Sequence, residues 1–156
     1  MSNRGKNQNK NSKNKCTLGE NKGYKQQKAE FIEPQFLEKI RFSQTNISEK
    51  KTNEIYKNME SNEWNKENGA YHDPIDIVIM PDGKYTSYDN KRLYCAKKLG
   101  VRLRARIHYY TDYADFSRVN SKKTWQKAIE ERCRDARNDW SEKEKYGYEN
   151  YPLLRN

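Results

Sequence analysis

The sequence is poor in apolar residues. Only 33% of its 156 residues are hydrophobic, against 35% that are charged. No run of about 18 consecutive apolar residues occurs, so no ordinary membrane-spanning helix is expected. The N-terminus also lacks the apolar stretch of about 7 to 15 residues that a secretory signal needs. We therefore expect a protein with no membrane partner that is cytoplasmic or is delivered into a target cell by a non-Sec route.

Cysteine and histidine are scarce as well. The three cysteines, Cys16, Cys95 and Cys133, are odd in number and have no C-x-x-C spacing, so neither a disulfide framework nor a zinc site is expected. Histidine is the side chain that ordinarily titrates near neutral pH, and the sequence has only two, His72 and His108. The cofactor stays unknown at this point, with a divalent metal ion or a nucleoside triphosphate as the open alternatives.

The positive charge is concentrated at the N-terminus. The net charge is +10, and residues 1–28 hold eight basic residues and one acidic residue. The same residues include four apolar side chains, too few to offset the conformational entropy lost on folding. We predict a disordered basic arm over residues 1–28 and a single folded domain over residues 29–156.

The middle of the chain predicts a strand, a hairpin and a helix in succession. A β-branched run after Pro74 ends at the turn 81–83, and the alternating residues 84–88 follow it, which predicts a β-hairpin. Asp89 then stands where an N-cap belongs and Gly100 where a C-terminal glycine belongs, so a helix is expected between them.

Two further helices are predicted on either side of this block. Residues 49–60 have helical spacing, with Thr52 or Asn53 as candidate caps. Residues 124–140 predict a long C-terminal amphipathic helix. Its apolar stripe consists of Trp125, Ile129, Cys133, Ala136 and Trp140. The predicted fold class is α+β, with a small mixed sheet.

The segment 101–110 alternates strictly and predicts a strand with two different faces. The apolar face carries Val101, Leu103, Ala105, Ile107 and Tyr109. The opposite face carries Arg102, Arg104, Arg106, His108 and Tyr110. Successive arginines on it lie roughly 7 Å apart, near the phosphate spacing of a nucleic-acid strand, and the tyrosine ring could stack on a base. The alternative is an ordinary solvated face.

The start of the helix after Asp89 is suited to bind phosphate. A helix N-terminus presents unpaired amides and a positive dipole end, and here it carries Asn90, Lys91 and Arg92. No acidic residue occurs between Asn90 and Thr111. Seven cations lie in the same segment: Lys91, Arg92, Lys97, Lys98, Arg102, Arg104 and Arg106. We predict a local field that attracts nucleic acid or nucleotides.

This block resembles the core of the ParB/sulfiredoxin superfamily. The resemblance rests on residues 74–79, 82–85 and 89–100, with residues 40–44 similar to the leading strand, and covers about residues 38–110. It implies a strand and hairpin that lead into a phosphate-binding helix start. The motif Asp-Asn-Lys-Arg-Leu at residues 89–93 is similar to a divergent Asp-Asn-Arg-Arg-Leu branch found in polymorphic bacterial toxin modules.

The chain departs from the better-known members of that superfamily. Sulfiredoxin has its reactive cysteine where this chain has Asn90, so peroxiredoxin repair is not implied. Chromosome-segregation members have a glutamate there, together with a second nucleotide-binding box that this chain lacks. What the resemblance implies is phosphate binding by Asn90, Lys91 and Arg92.

Three residues are candidates for proton transfer in phosphodiester chemistry. His108 lies among the strand arginines, His72 precedes the hairpin, and Asp89 begins the helix. The alternatives are a hydrogen-bonded structural histidine, a loop histidine and a helix cap, respectively.

The sequence thus leaves three functions open. The first is a nuclease-type toxin or effector that acts on nucleic acid, with an acidic immunity or regulatory protein as a further partner. The second is a nucleotide-dependent kinase or NTPase of the same superfamily. The third is a non-catalytic nucleic-acid-binding protein.

Overall fold

The computed structural model of the protein describes residues 27–61, 74–114 and 122–156. The predicted basic arm therefore lies outside the described residues, apart from residues 27 and 28, and so does His72, one of the candidates for proton transfer. Among the helices within the described ranges, none has the length and apolar character that a membrane crossing requires.

Seven short strands and four α-helices account for most of the described chain. In chain order they are β1 (Glu30–Ile32), α1 (Pro34–Leu37), β2 (Ile40–Arg41), β3 (Asn46–Ser48), α2 (Glu49–Glu60), β4 (Ile75–Ile79), β5 (Tyr85–Ser87), α3 (Asn90–Leu99), β6 (Leu103–Tyr109), α4 (Trp125–Cys133) and β7 (Leu153–Arg155). A 3-10 turn at Glu142–Glu144 precedes β7.

Five of the strands form one mixed sheet. Its order is β1-β6-β4-β5-β2, with β4 parallel to β6 and antiparallel to β5. β3 and β7 pair separately, in parallel. The predicted α+β class with a small mixed sheet is confirmed.

The sheet has one apolar face and one mixed face. Ile75, Ile77, Leu103 and Ala105 project to the same side and are fully buried in the core, where α1 and α2 each pack on α3. Neighbouring residues in the strands alternate between faces, so Asp76 and the even-numbered residues of β6 lie on the other side, which α4 partly covers.

The predicted hairpin and capped helix are confirmed. β4 and β5 pair across the turn 81–83, and α3 begins and ends at the predicted residues. Gly100 ends α3 with a φ of 68°, in the left-handed region that glycine tolerates best. α2 also has its predicted bounds, but its cap is Ser48, whose hydroxyl accepts a hydrogen bond from the Lys51 amide, and not Thr52 or Asn53.

The predicted long C-terminal helix is wrong in its length. α4 ends at Cys133, and of the last two stripe residues Ala136 is exposed and Trp140 is half-buried outside the helix. The Asn138 side-chain amide donates hydrogen bonds to the carbonyls of Arg132 and Cys133, at 2.7 and 3.2 Å. These local side-chain bonds satisfy the last turn of the helix and compete with its continuation.

The predicted two faces of β6 differ from the observed burial at the end of the strand. His108, expected on the cationic face, is 5% exposed, whereas Tyr109 on the apolar side is 56% exposed. The difference arises because Trp125 of α4 stacks on the imidazole of His108, with ring centroids 4.3 Å apart. The burial pattern here depends on which helix covers which face, not on alternation within the strand.

The segment after α4 closes over the far edge of the sheet. Arg41 donates to the Thr86 hydroxyl at 3.0 Å and forms a two-point ion pair with Asp82. Burial opposes ionisation of Asp82, but the hydrogen bonds from Arg41 and from the Lys84 amide outweigh it and lower the pKa of that carboxyl. Gly147 packs directly against the side chains of Arg41 and Thr86.

Candidate functional site

A cleft of about 360 Å³ opens at the start of α3. Six parts of the fold form its walls: the loop after β2, the middle of α2, the start of β4, the turn between β5 and α3, the first turn of α3, and the last turn of α4. The lining residues are Gln44, Ile55, Ile75, Asp76, Tyr88, Asp89, Asn90, Lys91, Arg92 and Arg132. Three cations and two carboxylates therefore face one small volume, and all three residues predicted to bind phosphate are among them.

Asp89 and Arg92 form an ion pair at the N-terminus of α3. One carboxylate oxygen of Asp89 accepts the Arg92 amide at 3.1 Å, which is the predicted N-cap. The other accepts Nε of the same arginine at 2.8 Å and lies 2.6 Å from its Nη2. The cap therefore also fixes the guanidinium, so the side chain of Arg92 is held in place at the cleft.

Asn90 joins α3 to the loop after β2. Its buried side chain accepts the Ser43 amide at 2.7 Å and donates to the Ser43 hydroxyl at 3.0 Å and to Gln44 Oε1 at 2.9 Å. The side chain is thus occupied by structural hydrogen bonds. At this position only the backbone amide of the first helical turn, which has no partner inside the helix, is suited to a ligand.

Asp76 is the carboxylate of the cleft that comes from the sheet. His108 Nε2 lies 2.8 Å from its Oδ1, and the imidazole is sandwiched against Trp125. The carboxylate is about one-third exposed, while the histidine side chain is 6% exposed and does not line the cleft. The predicted catalytic histidine is therefore behind Asp76, and Asp76 is the group that a ligand would meet.

Arg132 enters the cleft from α4. Its guanidinium carbon lies 3.9 Å from the centroid of the Tyr88 ring, a cation–π contact that fixes its position. The Tyr88 ring is also in edge-to-face contact with the Trp125 ring, with ring centroids 5.8 Å apart. Aromatic contacts through Tyr88 and Trp125 therefore connect Arg132 with the His108–Asp76 pair.

The two lysines of the predicted cationic cluster lie away from this cleft. Lys97 is buried, with its ammonium group 4.7 Å from the centroid of the Phe42 ring, and burial lowers its pKa. Lys98 is exposed and lies 4.6 Å from the ring centroid of Tyr151. Both belong to the far half of α3, so the seven cations do not form one surface.

Two arginines of β6, Arg104 and Arg106, lie on the mixed face of the sheet, and Arg102 directly precedes the strand. Arg106 is the register partner of Asp76, Arg104 is that of Phe31, and the Arg102 guanidinium lies 4.1 Å from the Phe31 ring centroid. All three are half-buried. Tyr110 is half-buried as well and packs against the core. Of the β6 arginines, Arg106 is thus the one next to the cleft.

Metal ligands are few in this part of the chain. The described residues contain no group of three or more histidine, cysteine or carboxylate side chains that could hold an ion. Asp76 and Asp89 both line the cleft, but each is already engaged, with His108 and with Arg92. A divalent ion bound here would need the phosphate oxygens of a ligand to complete its coordination.

Sequence reasoning missed Asp76 and Arg132. The first had a detectable signal, because it is the one charged residue in the apolar run 75–80. The second had none, since an arginine on a helix surface is ordinary.

Comparison of the chain with protein-family models, with curated proteins and with solved structures gives no match in any of the three. The function is therefore argued from the geometry of the cleft.

Proposed function

We propose that the protein is a nuclease-type toxin or effector domain with a ParB/sulfiredoxin-like core, and that the cleft at the start of α3 binds a phosphate of nucleic acid. One observation carries this proposal: Lys91, Arg92 and Arg132 line a single cleft at the N-terminus of α3, which also contains the carboxylate of Asp76. Cations and amides stabilise phosphate charge, and a carboxylate can move a proton.

The phosphate is best seated between the helix start and Arg92. The guanidinium adds its positive charge to this seat, and its orientation costs little on binding because Asp89 already holds its Nε and Nη2 atoms. Lys91 adds a second charge. The Asn90 side chain supports this seat indirectly, because it anchors the loop that forms the opposite wall.

Hydrolysis would use Asp76 as the general base. A water molecule attacks the phosphorus and gives its proton to the Asp76 carboxylate, the ester P–O bond breaks, and the leaving oxygen takes a proton from solvent. His108 keeps the carboxylate oriented toward the cleft through its 2.8 Å hydrogen bond. In this assignment Asp76 replaces His108 and Asp89 as the group that transfers the proton, and Asp89 serves as cap and partner of Arg92.

The proposed partners follow from charge. Nucleic acid is the polyanion that a protein of net charge +10 attracts, and the predicted arm of residues 1–28 would raise its nonspecific affinity. An immunity or regulatory protein that blocks this cleft would need acidic residues for the same reason.

Incubation of the purified protein with single- and double-stranded DNA and RNA, with and without Mg²⁺ or Mn²⁺, tests the proposal. We expect cleavage of at least one substrate by the native protein and loss of cleavage and of binding in Arg92→Gln. Lys143→Gln removes the same charge from an exposed site outside the cleft and serves as the control. Uncut substrates together with undiminished binding by Arg92→Gln would overturn the proposal, whereas salt-sensitive binding without turnover would assign a non-catalytic binding protein.

The size of the cleft favours a second candidate, a nucleotide-dependent kinase or NTPase. A volume of about 360 Å³ lies within the range of sites for small molecules, which is roughly 300 to 1,000 Å³. Thermal unfolding with ATP, CTP or GTP separates the two functions. A clear rise in the unfolding temperature with one nucleotide would favour the second, because a ligand of the folded state stabilises it.

A further inference from the structure

A second cleft adjoins the first. It has a volume of about 250 Å³ and lies between the loop after β2 and the end of α4. Gln44, Tyr88 and Arg132 line both clefts, so the two volumes meet at these three side chains. Together they form a trough that runs from the start of α3 past the end of α4.

The cations of the second cleft differ in what they contact. Lys123 pairs with Glu131 at 2.8 Å, and Arg137 pairs with Asp135 at 2.8 Å. Arg132 forms no direct ion pair among the residues that the structure describes, and the Tyr88 ring holds its guanidinium at the junction of the two clefts. The hydrogen bonds from Arg137 and, more weakly, the charge of Arg132 lower the pKa of the Asp135 carboxyl. A fixed cation with no carboxylate in direct contact is suited to an anionic ligand, because binding breaks no existing ion pair.

We propose that Arg132 holds a second phosphate, so that the trough takes a single-stranded oligonucleotide with at least two successive phosphates. Arg92 and the helix start would seat one phosphate in the first cleft, and Arg132 the adjacent one. This inference rests on the proposed function and names its substrate class: a polynucleotide strand and not a mononucleotide.

Two variants isolate the contribution of Arg132. Arg132→Gln removes the charge, and Arg132→Lys keeps the charge but loses the planar fork and the stacking on Tyr88. Arg134→Gln is the matched control, since Arg134 follows two residues later, is exposed and contacts Trp140 outside both clefts. Thermal unfolding of each variant shows whether the fold is retained.

The measurement is the affinity for 5′-phosphorylated thymidine mono-, di- and tetranucleotides and their uridine counterparts. We expect the native protein to bind the dinucleotide about tenfold more tightly than the mononucleotide, since one charge-assisted phosphate contact has about that effect. Arg132→Gln should abolish this difference, with mononucleotide affinity unchanged within about twofold, and should reduce the slope of log affinity against log salt for the tetranucleotide by about 0.7. Arg132→Lys should retain part of the difference, and Arg134→Gln all of it.

Equal loss of mono- and dinucleotide affinity in Arg132→Gln would overturn the inference, because Arg132 would then belong to the first phosphate seat. No change in either affinity would overturn it too. Failure of the proposed function looks different: Arg92→Gln would then leave the affinity for all of these ligands at the native value.

Discussion

Asp76 and His108 lie on neighbouring parallel strands and share a hydrogen bond of 2.8 Å between Oδ1 and Nε2. The carboxylate faces the cleft, while the imidazole is enclosed between the sheet and Trp125. A buried imidazole cannot rotate freely, so the bond restricts the carboxylate to one orientation. The pair combines a group that contacts the ligand with a group that only positions it.

This division of roles predicts different phenotypes for two substitutions. Asp76→Asn should reduce hydrolysis by at least about a hundredfold, the usual contribution of a general base, without weakening the binding of the oligonucleotide. His108→Gln should cause a smaller loss of kcat, because the carboxylate loses the partner that orients it but stays in the cleft. Measurements of kcat, KM and equilibrium binding check both expectations.

Asp139→Asn is the control for the loss of a carboxylate, since Asp139 is exposed and lies outside the cleft. Full activity in Asp76→Asn would remove Asp76 from the mechanism. An effect of His108→Gln on stability alone, with kcat unchanged, would reduce the histidine to a packing role.

Gly147 is predicted to tolerate no side chain. Its φ is 147°, and a Cβ built on it would lie 2.6 Å from Thr86 Oγ1 and 2.9 Å from Arg41 Nε. Both atoms are held by their own hydrogen bond to each other, so neither can move away freely. Gly147→Ala should therefore lower the free energy of unfolding by about 2 to 3 kcal/mol, from overpacking and backbone strain together.

Gly83→Ala separates these two causes. Gly83 also has a positive φ, of 83°, but a Cβ there meets no atom within 4 Å. Gly83→Ala should therefore lower the free energy of unfolding by the backbone strain alone, about 1 kcal/mol. Urea unfolding of both variants gives the comparison, and equal losses at the two positions would show that the close approach to Thr86 and Arg41 has no energetic consequence.

The parts of the fold that sequence reasoning predicted are those with local signals. α3 could be placed to the residue because Asp89 and Gly100 mark its two ends and both act within one turn of the chain. The predicted length of α4 was wrong because the end of the helix depends on a hydrogen bond from Asn138, a polar residue that a search for apolar periodicity does not consider. For α3 and α4 the capping residues were thus the better guide to the boundaries, whereas for α2 the spacing gave the bounds and the candidate caps were wrong.

The candidate site was predicted only in the part that lies on α3. Arg92 and its neighbours are consecutive, so their proximity follows from the helix itself. Asp76, His108 and Arg132 meet because β4 is parallel to β6 and α4 covers the mixed face, and neither relationship is encoded in local spacing. The same long-range arrangement separates Lys97 from the arginines of β6, although the sequence places them in one basic segment.

The two buried thiols predict a loss of stability at alkaline pH. Cys95 and Cys133 are fully buried, and burial raises the pKa of each to about 12, from an ordinary value of 9.0. The unfolded chain therefore loses these protons from about pH 9, while the folded chain keeps them until about pH 12. Because ionisation then favours the unfolded state, the stabilising effect is complete below about pH 9 and decreases as the pH rises toward 12.

At about pH 10.5 this linkage should lower the free energy of unfolding by about 2 kcal/mol for each thiol, since one pKa unit corresponds to about 1.4 kcal/mol. Urea unfolding at about pH 7.5 and pH 10.5 measures the loss. Burial also raises the pKa values of Tyr94, Tyr148 and Tyr151, which act in the same direction, so the thiol share has to be isolated. The double variant Cys95→Ala, Cys133→Ala does this: it should be less stable than the native protein at pH 7.5, because two packed side chains are truncated, but should lose less stability between the two pH values. An equal pH dependence in the native protein and the double variant would contradict the assignment and leave the buried tyrosines as the groups responsible.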